Sequence, residues 1–169
     1  MTSVDQIITP ALEIAERLGS LPPDWQVVPA VPTGERRAGP DHLVIGPAGV
    51  FAITTKHLPD AEVRVRGELF GVNGRYQHFV RHSRFEAAWV ATVLSAATGL
   101  MVEVEAVIAV TGAQRGFSVR QQPRDVTVVN RKTITGYLHS RPLRLDASAV
   151  DRINDAARSA PTWNSPVAC

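Results

Sequence analysis

The pattern of apolar and polar positions predicts a chain that begins with a helix and has a β-rich middle. Thr9 and Pro10 are typical of a helix start and Gly19 of its end, with an apolar stripe at helical spacing between them. Residues 42–45 and 50–53 are short apolar runs on either side of a Gly-Pro-Ala-Gly turn. Apolar runs of this length flanking a turn predict a hairpin with both strands largely buried.

The next segment alternates and is more polar. Residues 62–66 alternate strictly and residues 68–72 less cleanly, and Asn73-Gly74 is a tight-turn signal. We therefore predict an exposed antiparallel extension of the hairpin.

A change to helical spacing follows. Ser83 and Glu86 match the S-x-x-E capping box, which predicts a helix start, and Gly99 is placed to end that helix. Phe85 and Trp89 begin the apolar face that this spacing predicts.

The remaining elements complete an α/β pattern. Short apolar runs predict strands at residues 103–110 and 126–129. Polar cap residues predict helices at residues 130–138 and 148–160. Strands followed by alternating helices indicate an α/β fold with a mixed β-sheet around the central hairpin, flanked by helices. We expect one domain over residues 1–160 and a C-terminal tail over residues 161–169.

Composition narrows the class of protein. With 44% hydrophobic and 20% charged residues, the chain can bury a core, and its net charge of +2 limits nucleic-acid binding to a local patch. The single cysteine, Cys169, cannot form an internal disulfide. We find neither a signal-peptide pattern nor an apolar run near the roughly 20 residues of a membrane span. We therefore expect a cytoplasmic protein without a membrane partner.

The candidate chemistry lies at one end of the hairpin. Asp41 precedes the first strand, and the second strand ends in Thr54-Thr55-Lys56. Hairpin pairing should bring Asp41 close to Lys56, and alternation places Thr54 and Lys56 on one face. A carboxylate beside a lysine can hold a divalent cation and contact a phosphate oxygen. Lys56 is also one of only two lysines among 18 basic residues, so its position calls for a reason.

Residues 41–57, with their Gly-Pro-Ala-Gly-Val-Phe turn, resemble the core of the nuclease-related domain (NERD) family. That family is similar to the restriction-endonuclease-like superfamily with the PD-(D/E)xK signature, and the resemblance extends over about residues 21–110. It implies a restriction-endonuclease-like core, Mg²⁺ or Mn²⁺ as cofactor, and nucleic acid as partner, DNA more than RNA.

The resemblance also implies roles for single residues. Asp41 matches the metal-binding Asp, and Lys56 matches the Lys that orients the attacking water and contacts the phosphate. Thr54 stands where the superfamily has Glu, Asp or Gln as the second metal ligand. Because hard dications depend on carboxylate ligands, a neutral hydroxyl at this position predicts weak metal binding.

Other carboxylates are open candidates for the site. Glu86 lies near where related domains place a Gln or Glu on the next helix, although the capping box with Ser83 also explains it. The superfamily's first-helix carboxylate has two candidates, Glu13 and Glu16, and no motif selects between them.

A basic stretch with interleaved aromatic residues is the candidate nucleic-acid surface. Its arginines are Arg64, Arg66, Arg75, Arg81 and Arg84. Arginines beside Tyr76, Phe79 and Phe85 suit phosphate contact and base stacking, while a charged edge hairpin that blocks aggregation has the same composition. A second basic stretch covers residues 115–132.

Two functions from different classes remain. The first is metal-dependent phosphodiester hydrolysis, weakened by Thr54. The second is a catalytically inactive nuclease-like module that binds DNA or a protein partner. A structural subunit or a homo-oligomer also fits this sequence.

Overall fold

The computed structural model describes residues 4–29, 31 and 39–164, with side chains from residue 12 onward. Its helices are α1 (Val4–Gly19), α2 (Phe79–Thr98), α3 (Ile134–Ser140), α4 (Ala147–Arg158) and α5 (Ala160–Asn164). Its strands are β1 (Gln26–Pro29), β2 (His42–Gly46), β3 (Gly49–Leu58), β4 (Glu62–Arg66), β5 (Leu69–Val72), β6 (Arg75–Gln77), β7 (Val104–Gly112), β8 (Gly116–Gln121) and β9 (Val126–Asn130).

The predicted hairpin lies at the centre of a five-stranded mixed sheet in the order β1-β2-β3-β7-β9. β2 and β3 pair antiparallel, whereas β3 pairs with β7, and β7 with β9, in parallel. Thr54 lies opposite Ile108 and Lys56 opposite Val110, so β3 and β7 end at the same edge of the sheet. This arrangement confirms the predicted α/β class and is consistent with a restriction-endonuclease-like core.

Helices cover both faces of this sheet, which explains the continuous apolar runs of the hairpin. Leu43 and Ala52 belong to the core cluster that contains the buried residues of α2 and α4. Val44, Phe51 and Ile53 belong to the cluster that contains the buried residues of α1 and α3. Neither face of the hairpin is therefore available to solvent along most of its length.

The predicted extension is a second, four-stranded sheet in the order β6-β5-β4-β8. The turn at Asn73 and Gly74 has positive φ at both residues, as predicted for a tight hairpin turn. Only one face of this extension is exposed. On the other face, Val63, Val65 and Phe70 are buried in the core cluster that also contains the buried residues of α2. β8 was not predicted, and it pairs with β4 in parallel across a long separation in the chain.

The first helix begins earlier than its sequence signals indicate. α1 starts at Val4, so Pro10 lies within the helix rather than in its first turn. Pro10 has no N–H, and the helix passes it without the hydrogen bond that this N–H would have made.

The capping box predicted at Ser83 and Glu86 is wrong. α2 begins at Phe79 after His78, directly from β6, so Ser83 lies inside the helix and is buried. The helix begins where β6 ends, so the Glu86 side chain does not serve in a capping box and is available for a different contact. Gly99 does end α2, in the left-handed conformation with φ of 72°. The predicted apolar face is shifted as well, because Phe85 is 61% exposed.

The C-terminal helices start at polar caps close to the predicted ones. Asn130 accepts hydrogen bonds from the backbone N–H groups of Lys132 and Thr133 before α3. Asp146, rather than Ser148, caps α4 by accepting from the N–H of Ala149.

The chain beyond α4 packs on the domain. Trp163 of α5 is buried and donates its indole N–H to the carbonyl oxygen of Ala157 at 2.8 Å. The boundary between domain and tail at residue 160 stays a prediction. In the part of the chain that the structure describes, no helix has both the length and the apolar character needed to cross a membrane.

Phe70→Ala tests whether the second sheet is an integral part of the fold. Phe70 is fully buried and packs edge-on against Phe79 with 5.2 Å between ring centroids. Truncation should lower the free energy of unfolding by about 3–5 kcal/mol in urea denaturation. The matched control is Leu69→Ala on the exposed face of the same strand, for which we expect a change within about 0.5 kcal/mol. If Phe70→Ala also changed the free energy of unfolding by no more than about 0.5 kcal/mol, the second sheet would not share the core.

Candidate functional site

Asp41 is held against the end of β3, as the hairpin predicted. Its Oδ2 accepts a hydrogen bond from the backbone N–H of Thr55 at 2.6 Å. This bond fixes the exposed Asp41 carboxylate beside the polar residues at the end of β3. The carboxylate oxygens keep further lone pairs that can accept other hydrogen bonds or bind a cation.

Thr54 contacts a carboxylate that comes from the neighbouring helix. Its hydroxyl donates to Oε2 of Glu86 at 3.1 Å. Burial raises the pKa of Glu86 above its ordinary value, the Thr54 hydrogen bond and Lys56 oppose that rise, and the charge of Asp41 adds to it. Asp41 and Glu86 are thus close enough for their charges to interact.

Lys56 lies on the same face as Thr54 and is positioned by an aromatic ring. Its Nζ is 4.6 Å from the centroid of the Phe79 ring, a cation–π contact with the first residue of α2. The Lys56 charge also acts on Glu86. The ammonium group is therefore held at the junction of β3 and α2.

The structure brings Asp41, Thr54, Lys56 and Glu86 to one edge of the first sheet. Two carboxylates and a hydroxyl are oxygen donors of the kind that Mg²⁺ and Mn²⁺ prefer, so this set fits a divalent cation. Among the described residues, however, no group of three or more His, Cys, Asp or Glu side chains is arranged to hold a metal. A site with two carboxylates predicts weak binding.

The two candidate carboxylates of the first helix, Glu13 and Glu16, make no contact with the candidate site among the contacts of the described residues. Glu13 forms an ion pair with Arg131, with 3.1 Å between its Oε1 and the Arg131 Nη1. Glu16 is exposed further along α1. Neither is among the charged groups that act on Glu86.

Three residues at this edge were not predicted to belong to the candidate metal site, although Phe79 was predicted to stack on bases. Phe79 positions Lys56, and Thr55 holds Asp41 through its backbone. His42 is buried beside Asp41, and its Nδ1 has no hydrogen-bond partner among the described residues. A backbone contact and a ring contact leave no signal in a sequence pattern, which is why these residues could not be found there.

The predicted nucleic-acid arginines are not equivalent. Arg84 links three segments, because its Nη2 donates at 2.7 Å both to Glu68 and to the carbonyl oxygen of Arg124. Arg64 forms an ion pair with Glu62 on its own strand. Arg66, Arg75 and Arg81 are exposed. Arg84 thus has a structural contact that the sequence did not suggest, and the other four arginines remain candidate contacts for phosphate.

A cavity of about 440 Å³ lies at the opposite edge, where β7 and β9 begin. Its polar groups bond to one another: Arg141 donates to both oxygens of Glu105, and the Tyr137 hydroxyl donates to Glu105 at 2.8 Å. Mutually satisfied groups of this kind hold α3 to the sheet, and they are distant in the fold from Asp41.

Comparison with known proteins agrees with the resemblance in the hairpin. The sequence model of the family described as "Nuclease-related domain" matches residues 11–111, which is more than half of the chain. No curated protein and no solved structure gives a significant match.

His42 should make stability depend on pH. Burial lowers its pKa from an ordinary value near 6.5, and Asp41 opposes part of that effect. As the pH falls below about 6.5, the unfolded chain therefore takes up a proton that the folded protein resists. The free energy of unfolding should fall by up to about 1.4 kcal/mol per pH unit from this group.

The measurement is urea denaturation between pH 7.5 and 5.5 on wild type, His42→Gln and His78→Gln. His42→Gln should flatten the pH dependence, and His78→Gln, at an exposed position without a side-chain capping bond, should not. The same slope in all three proteins would contradict the assignment to His42.

Proposed function

Because this chain belongs to the nuclease-related domain family, we propose that it acts on nucleic acid by metal-dependent phosphodiester hydrolysis. The observation that supports this proposal is the contact between Glu86 and Thr54. In this contact a carboxylate from α2 lies beside Thr54, the position at which the PD-(D/E)xK superfamily has its second metal ligand.

Glu86 in this proposal replaces the carboxylate missing at position 54. Asp41 and Glu86 would hold Mg²⁺ or Mn²⁺, with the Thr54 hydroxyl as a neutral neighbour. When bound, such a cation polarises a phosphoryl oxygen and makes a coordinated water more acidic. A half-buried carboxylate that carries a raised pKa is destabilised in its charged form, and a nearby dication would relieve that cost.

Lys56 would contact the phosphate. Its position over Phe79 keeps the ammonium at the edge of the sheet while limiting its freedom, so less entropy is lost when it binds an anion. In hydrolysis a water oxygen bonds to phosphorus, the ester P–O bond breaks, and the leaving alkoxide takes up a proton. Lys56 would hold a non-bridging phosphate oxygen and offset its negative charge during this exchange.

A catalytically inactive binding module is the second candidate. The observation that favours it is the limited donor set, with Thr54 in place of an acid and two interacting carboxylates. The exposed arginines support nucleic acid as the ligand in both cases. Metal affinity and cleavage therefore separate the two functions, whereas nucleic-acid binding alone does not.

Calorimetric titration with Mn²⁺, beside a plasmid-cleavage assay, tests the metal site. We expect weak Mn²⁺ binding and slow cleavage by wild type. Asp41→Asn and Glu86→Gln should each weaken Mn²⁺ binding by at least about tenfold, because each removes one of two anionic ligands. Thr54→Glu should tighten binding by adding a third carboxylate, whose repulsion with Glu86 the cation and Lys56 would offset.

Two further variants serve as controls. Glu13→Gln removes a carboxylate that is paired with Arg131 and should leave Mn²⁺ affinity unchanged. Lys56→Ala should lower cleavage while Mn²⁺ still binds. Equal affinity in wild type, Asp41→Asn and Glu86→Gln, with no cleavage by any of them, would reject hydrolysis at this site in favour of the binding module.

A further inference from the structure

The second sheet has one buried face and one exposed face. Val63, Val65 and Phe70 point into the core, so their neighbours on each strand point outward. We call this exposed side the outer face, and its residues are Glu62, Arg64, Arg66, Leu69, Gly71, Tyr76 and Ser118. The exposure of Arg64, Arg66, Leu69 and Tyr76 shows that no described element covers this surface.

A row of three residues crosses the middle of the outer face. Arg64 lies opposite Gly71, and Gly71 lies opposite Tyr76 on the next strand. The Tyr76 ring packs over Gly71, with its Cδ1 and Cε1 3.9 Å from the point that a Cβ would occupy. Tyr76 nevertheless remains 69% exposed. The glycine therefore supports the ring from one side while most of the ring surface stays in solvent.

The charge around this ring is mainly positive. Arg64 is paired with Glu62, whereas Arg66 is exposed on the same strand. The register of β8 shifts between Val65 and Arg66: Val65 lies opposite Val119 and Arg66 opposite Gln121, so the exposed Arg120 is the residue skipped between these two pairs. β8 thus adds an arginine from the second basic stretch of the sequence to those of the first.

We propose that the outer face binds single-stranded nucleic acid, with a base stacked on Tyr76 and phosphates contacted by Arg66 and Arg120. An aromatic ring presented on a sheet among arginines combines sequence-tolerant stacking with charge attraction to the backbone. A base must be unstacked to reach such a ring, so duplex, whose bases are stacked internally, would lose this contact.

The outer face is connected to the proposed metal site through the chain. β6, which carries Tyr76, continues through His78 into α2, and the first residue of α2 is Phe79, which positions Lys56. Only Gln77 and His78 separate Tyr76 from Phe79 along the chain. The inference rests on the proposed function, because it names the strandedness of the substrate that this edge would receive.

Fluorescence anisotropy with a labelled oligothymidine of 12 nucleotides and a 12-base-pair duplex tests the proposal, in EDTA so that binding is measured without cleavage. Wild type should prefer the single strand. Tyr76→Ala should weaken single-strand binding about 5- to 100-fold, since stacking on one ring contributes roughly 1–3 kcal/mol. Tyr76→Phe keeps the ring and should bind as wild type does. Arg66→Ala should reduce the salt dependence of log K by about 0.7.

Tyr76→Leu separates stacking from support of Gly71. It keeps an apolar cover over the glycine without a π face, so it should unfold near the wild-type midpoint and still bind weakly. Three results would overturn the proposal. The first is wild-type affinity of Tyr76→Leu for the single strand, and the second is equal affinity of the wild type for the two oligonucleotides. The third is displacement of the labelled oligothymidine by polyglutamate as effectively as by unlabelled oligothymidine. A protein ligand on this face would give the first of these results.

The two proposals fail in different ways. Unchanged single-strand binding by Tyr76→Ala, together with cleavage that Lys56→Ala abolishes, would refute the outer-face site and leave the hydrolytic site standing. Tyr76-dependent binding without Mn²⁺ affinity or cleavage would support the outer-face site and reject hydrolysis.

Discussion

The burial of β3 on both faces is the constraint on which this structure depends. Its first half is packed between α2 and α4 on one side and α1 and α3 on the other, and it pairs with β2 and β7 at its two edges. Residues 49–53 are fully buried, and the strand becomes half-buried at Thr54. The candidate site begins where the core ends. At that boundary, polar side chains are anchored by a rigid strand and still reach solvent.

This boundary explains how a carboxylate can be lost from the strand and supplied by the helix. Alternation directs Thr54 and Lys56 toward α2, the element that also carries Glu86 and Phe79. A metal or a phosphate responds to the positions of oxygen atoms and charges rather than to the order of residues in the chain. Glu86 also faces a cost from burial that Lys56 reduces. The pKa of Glu86 therefore depends on the other three groups, because the Thr54 hydrogen bond and Lys56 lower it and the charge of Asp41 raises it.

The second sheet is tied to the same centre. Phe70 packs against Phe79, and Phe79 in turn holds Lys56, so the core of the second sheet touches the candidate site through one aromatic pair. Arg84 adds a link from α2 to Glu68 and to the segment before β9. Packed side chains, rather than a flexible linker, thus join the second sheet to the candidate site. The proposed binding face and the proposed hydrolytic edge would act as parts of one unit.

The local sequence pattern was sufficient to predict the hairpin and to place Asp41 close to the strand end that carries Lys56. Short apolar runs around a turn favour paired strands, and this pairing brings the start of the first strand to the end of the second. The α/β class and the family resemblance followed from the same residues. The sequence also marked the tight turn at Asn73 and the end of α2 at Gly99, because positive φ is a local property.

Tertiary structure decided the features that join distant segments. The start of α2 is determined by its connection to β6, so a capping box written in the sequence is not used, and Glu86 instead meets Thr54. β8 pairs with β4 and brings Arg120 next to Gln121, the residue opposite Arg66, although the two arginines lie in separate basic stretches. Arg84 is drawn into a structural link by a carbonyl 40 residues away. Sequence patterns report which side chains prefer burial, whereas these contacts depend on which buried surfaces pack together, and that is determined only when the whole chain folds.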